Sequence, residues 1–119
     1  MAALCELEFF LLQYVPNTVR DEAVNIGVVL TKPGGAELID ARFARDWNRV
    51  LALDSDADVE VLQALAREIQ NEIQLRRGAL WLQRMKDSFS NAAARLSDGR
   101  ICETDAPARK MNELASVCL

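Results

Sequence analysis

The stretch Ala23-Val24-Asn25-Ile26-Gly27-Val28-Val29-Leu30-Thr31 decides the fold. β-Branched and aliphatic residues dominate it, and such side chains suit a pleated, half-buried surface. Strict alternation puts Val24, Ile26, Val28 and Leu30 on one face, with Asn25, Gly27 and Val29 on the other. Pro33-Gly34-Gly35 is a turn signal. Ala36 to Phe43 then resumes the pattern with Leu38, Ile39, Ala41 and Phe43. The two runs predict an antiparallel hairpin.

Upstream, Cys5, Leu7, Phe9 and Leu11 alternate with Glu6 and Glu8, after which both faces turn apolar up to Val15. That predicts a strand beside the hairpin, open on one face early and covered on both later. Pro16 is expected to end it, because proline has no N–H for the ladder.

Downstream, the period changes. Leu62, Leu65, Ala66, Ile69 and Ile73 form one helical stripe. Ser55 with Asp58 resembles a capping box, and Arg76-Arg77-Gly78 is a stop signal. A helix is expected over roughly Asp56 to Arg77. Leu80, Trp81, Leu82 and Met85 fit a shorter helix, and Ser88 to Ser97 a strand returning to the sheet. Asp98-Gly99 reads as a turn and Ile101 to Glu103 as extended. Asp105-Ala106-Pro107 opens a closing helix carrying Met111, Leu114, Ala115 and Cys118. The expected fold is α+β: one domain over residues 1–119, with an antiparallel sheet of three to five strands. A long helix and a C-terminal helix pack on it, mainly on one face.

The length of 119 residues, with half of them hydrophobic, suffices for a core without metal or disulfide staples. No histidine is present. Ser-His-Asp and Cys-His catalysis and histidine-based metal sites are therefore excluded within this chain. The net charge of −4 argues against nucleic acid as partner. Cys5, Cys102 and Cys118 have no paired spacing, so they read as small apolar residues. The acids of Asp54-Ser55-Asp56-Ala57-Asp58 lack the glycine and terminal Glu of an EF-hand loop, and suit a helix cap better. No cofactor or metal is expected. No apolar run nears the roughly 18 residues of a membrane span, and no basic leader precedes Leu7. The expectation is a cytoplasmic protein without a membrane partner.

Two polar clusters are candidate sites. The first is Arg20, Glu22 and Asn25. An arginine there suits an anion, Glu22 an acid or base, and Asn25 an orienting amide. The competing reading is a network that locks the connection between strands. The second is Arg42, Arg45, Trp47 and Arg49. Arg and Trp are enriched where partner proteins bind, and they also grip nucleotides or single strands. The competing reading is a short helix with Phe43, Trp47 and Val50 in the core and its arginines in water. An uncovered edge strand or exposed Trp would permit a homodimer.

Tyr14-Val15-Pro16, Arg20, Glu22, Asn25 and Gly27-Val28-Val29-Leu30 resemble the opening of a family of small uncharacterised bacterial proteins. Phe89, Ala94, Leu96-Ser97, Thr104-Asp105 and Leu114 are similar too. The resemblance implies Arg20, Glu22, Asn25 and Gly27 as a unit. It also implies a partner protein, since such chains are often encoded beside a kinase-fold protein similar to the HipA toxin kinases. The expected function is a non-catalytic interaction or accessory module. The alternative is a small enzyme or a nucleotide- or anion-binding domain using Arg20, Glu22 and Asn25.

Overall fold

A computed structural model describes residues 4–17, 22–35, 37–75 and 94–119. The predicted hairpin forms. Strand β2 (Glu22–Thr31) pairs antiparallel with β3 (Leu38–Phe43). Gly34 takes a positive φ of 82° in the turn between them, where a side chain would be strained. Strand β1 (Cys5–Asn17) lies on the other side of β2. It runs through Pro16, which was expected to end it. Pro16 falls within a register irregularity between Tyr14 and Asn17, where a missing N–H costs the ladder little.

The far edge of β1 is shared by two short strands laid end to end. Strand β4 (Ala94–Leu96) pairs with Leu12 to Tyr14, and β5 (Arg100–Thr104) with Cys5 to Phe9. Asp98-Gly99 therefore joins collinear strands instead of reversing the chain. Ser97 bridges the gap: its N–H donates to Leu11 O at 2.8 Å, and its Oγ accepts from Leu11 N at 2.9 Å. Gly99 passes close to β1, for a Cβ there would lie 2.8 Å from the Phe10 ring. The described sheet is antiparallel, in the order β3-β2-β1 followed by β4 and β5.

The alternation in β2 does not run straight through. Leu12 faces Gly27 but Gln13 faces Asn25, so Ile26 is one residue extra, a β-bulge. A bulge shifts every later side chain to the opposite face. Ile26 and Val29 join Phe10, Leu12 and Tyr14 in one core, while Val28 and Leu30 join Leu7 in another. The expected single face of Val24, Ile26, Val28 and Leu30 is corrected by this one residue.

Both sheet faces are then apolar, and helices cover both, not mainly one. Helices α1 (Asn48–Leu53) and α2 (Val59–Leu75) supply Val50, Leu62 and Ile69 to the first core. Helix α3 (Pro107–Cys118) supplies Met111 to the second, flanked by Leu114 and Cys118. Asp58 caps α2, its Oδ1 accepting from Val61 N at 3.1 Å, so the cap lies later than Ser55. Pro107 opens α3 as expected. The stop signal at Arg76-Arg77-Gly78, the helix through Leu80 and Met85, and Ser88 to Ala93 lie outside the described residues. No helix among the described residues is long and apolar enough to cross a membrane.

Candidate functional site

The bulge does more than re-aim apolar residues. Gly27, just after it, carries the Phe43 ring where a Cβ would sit: that atom would lie 2.9 Å from Phe43 Cδ1. Phe43 thus folds over β2 toward the α1–α2 core. The chain leaves β3 at that point and turns along the end of the sheet. Ala44 N donates to Ile26 O at 2.9 Å, holding the start of this turn against the bulge. Asp46 Oδ1 accepts from Asn48 N at 2.9 Å and shapes the entry to α1.

This local path spreads three arginines around one cleft. Arg42 lies on the α3 face, opposite Val28 in the ladder. Arg45 follows in the turn and Arg49 in the first turn of α1. The cleft has a volume of about 510 Å³ and lies between the ends of β2 and β3, the turn, and the last turns of α3. Asn25, Arg42, Arg45 and Arg49 line it, with Asn112 and Ser116 from α3. Val24, Val50 and Leu119 contribute apolar wall. Asp46 is the one acidic side chain among the lining residues.

The cations are differently engaged. Arg42 is half-buried and its Nε lies 3.6 Å from Asp40 Oδ2. Arg49 donates from Nη1 to Leu119 O at 3.3 Å. Arg45 is exposed, and among the described residues it has no ion pair. An arginine that already holds an oxygen and one that holds none have N–H groups left to donate to a further carboxylate or phosphoryl oxygen.

Asn25 is oriented by a row of polar side chains across the sheet. Arg95 Nε donates to Gln13 Oε1 at 3.4 Å, and Gln13 Nε2 donates to Asn25 Oδ1 at 3.1 Å. The carbonyl end of Asn25 is thereby used. Among the described residues its amide donors have no partner, and the residue lines the cleft. Gln13 and Arg95 were not candidates from the sequence. A glutamine inside an apolar strand was the available signal.

The other candidates sort as follows. Arg20 lies outside the described residues. Glu22 is placed by its backbone, paired with Asn17, while its side chain lies outside them. Asn25 keeps company with Arg42, Arg45 and Arg49, so the structure joins members of two clusters that the sequence held apart. Trp47 is half-buried against the first core. It lines a neighbouring cleft of about 430 Å³ with Phe43, Gln63 and Arg67. Val50 is core with Phe43 and Trp47 packed on it, as the competing reading of the second cluster expects, and Arg42, Arg45 and Arg49 line a groove.

Tyr14, from the resembling segment, has a supporting place. Its OH donates to Asp54 Oδ2 at 2.7 Å, tying β1 to the link between α1 and α2. Burial, then the Asp54 carboxylate, pushes the phenol up to about 12. Asp54 Oδ1 also accepts from Asp56 N at 3.0 Å. Among the described residues, no group of Cys, Asp and Glu is arranged to hold a metal.

A family model described as Protein of unknown function (DUF3037) matches residues 9–116. No curated protein and no solved structure matches the chain.

Proposed function

The chain belongs to the DUF3037 family of proteins of unknown function, and we propose that it is a non-catalytic binding module that receives an acidic surface of a partner protein in its arginine-lined cleft. The observation that carries this reading is the convergence of Asn25, Arg42, Arg45 and Arg49 on one cleft beside a single acidic side chain, Asp46. Three guanidinium groups from eight consecutive residues supply forked donors at a fixed spacing. Arginine clusters of this kind recognise acidic and phosphorylated motifs. The wall is partly apolar, which suits a protein better than a free ion, because contacts beyond the charge then contribute. The chain as a whole is acidic, so the cleft is a local exception to its own field. A kinase-fold protein similar to the HipA toxin kinases, which the family resemblance implies, is a partner of the right class if it presents acids.

The test is co-purification from the native host, or co-expression with the neighbouring gene product. Wild type should retain one partner at low salt and lose it as salt rises, since exposed charges are screened. Arg45→Glu with Arg49→Glu should retain none while keeping its thermal midpoint. A partner that stays bound to the double variant would sink the reading.

A further inference from the structure

The two clefts are neighbours. Arg42, Phe43 and Ala44 line both, so the end of β3 is a low divide between them. Their chemistry differs. The larger carries Asn25, Arg45 and Arg49. The smaller carries the half-buried Trp47, the amides of Gln63 and Gln70, and one further cation, Arg67. Gln70 Nε2 donates to Ala41 O at 2.9 Å, which closes one carbonyl of β3 to a further strand. A partner strand added along this edge would have to displace that bond, so the more accessible route crosses the end of β3.

We propose that the two clefts form one bipartite site for an extended acidic segment of a partner protein. An anionic side chain of the segment rests on Arg45 and Arg49, and an apolar side chain next to it rests against Trp47 and Phe43. This rests on the reading of the arginine cleft as an acidic-partner site. The argument is charge and shape complementarity. A short acidic segment satisfies the arginines, and only a segment that also carries an apolar residue uses the smaller cleft. Alternating side chains of an extended chain point to opposite sides. Such a chain can therefore straddle a divide and place one side chain in each cleft.

The probe is a dye-labelled peptide carrying three glutamates beside one leucine, titrated with the full chain by fluorescence anisotropy. A second peptide replaces the glutamates with glutamine, and a third replaces the leucine with serine. Each replacement should weaken binding about tenfold or more, a change of one decade in Kd. Arg45→Ala with Arg49→Ala should abolish the difference between the first and second peptides. Trp47→Ala should abolish the difference between the first and third. Gln63→Trp, which fills the smaller cleft, guards against a Trp47 variant that fails to fold and should have the same effect. If the serine peptide binds as tightly as the leucine peptide, the bipartite site is overturned and the arginine cleft stands. If the glutamine peptide binds as tightly as the glutamate peptide, the underlying reading falls with it. Tighter binding of single-stranded oligouridine than of any peptide overturns both.

Discussion

The two faces of the sheet differ in what covers them, and the difference places the arginine-lined cleft. Toward α1 and α2, Phe10, Leu12, Tyr14, Ile26 and Val29 meet Val50, Leu62 and Ile69 in one continuous core. The Tyr14–Asp54 bond closes its rim. Toward α3, a smaller set of buried residues, Leu7, Val28, Leu30 and Met111, is flanked by the partly buried Phe9, Leu11, Ile39 and Leu114. Beyond it, at the end holding Asn25 and Arg42, side chains become polar and the cleft opens. One face is spent on stability, while the other ends in the cleft proposed above as a binding surface. The bulge at Ile26 makes the division, because it sends Val28 and Leu30 to the α3 face and leaves Asn25 pointing the same way.

Substitutions can break this contrast, beginning with the largest effects. Leu12→Ala removes a fully buried side chain from the larger core and should cost about 3–5 kcal/mol in urea unfolding. Met111→Ala in the smaller core should cost about 2–3 kcal/mol, because fewer rigid neighbours surround a flexible side chain. A larger loss at Met111 than at Leu12 would erase the claimed asymmetry. Gly27→Ala pushes Phe43 off β2 and should cost about 1–3 kcal/mol. It should also disturb the cleft, since Phe43 borders it.

Tyr14→Phe should cost about 1 kcal/mol through the lost bond to Asp54. Tyr14 is the chain's sole tyrosine, so its ionisation can be followed by ultraviolet absorbance. A phenol raised from 10.0 to about 12 favours the neutral form in the folded state. Its contribution to stability is therefore whole below about pH 10 and is lost as pH rises toward 12. Phenolate appearing at pH 10 in the folded protein would contradict the buried bond. The smallest stability effect is expected at Arg45→Ala, within about 0.5 kcal/mol, since the side chain is exposed and has no described ion pair. The same variant should lose most of its affinity for acidic peptide, which separates recognition from stability.

The fold class was legible in the sequence because period-2 and period-3.6 patterns are strong in Val24 to Leu30 and Leu62 to Ile69. What escaped the pattern was a shift of one residue. A glycine inside a strand pattern, as at Gly27, is compatible with a bulge or a close approach, but no periodicity says which residue is extra, and that residue decides which faces need covering. The helix on the second face follows from it. The cleft was legible in pieces. Arg42, Arg45 and Arg49 stood out as part of one cluster and Asn25 as the amide of the other. Their meeting depends on β2–β3 register and on the turn at Ala44, which are tertiary facts. Gln13 was marked locally only as a polar residue in an apolar strand, and its link to Arg95, 82 residues away, is a cross-strand contact that no local pattern shows.

The most direct measurement is amide chemical-shift mapping of the isotope-labelled chain as the glutamate–leucine peptide is added. The shifts should concentrate on Asn25, Arg42, Arg45, Arg49 and Ser116, with α2 beyond Gln70 unchanged. Shifts centred instead on Glu6, Glu8 and β5, or none at saturating peptide, would contradict the claim that the α3 face ends in a recognition surface.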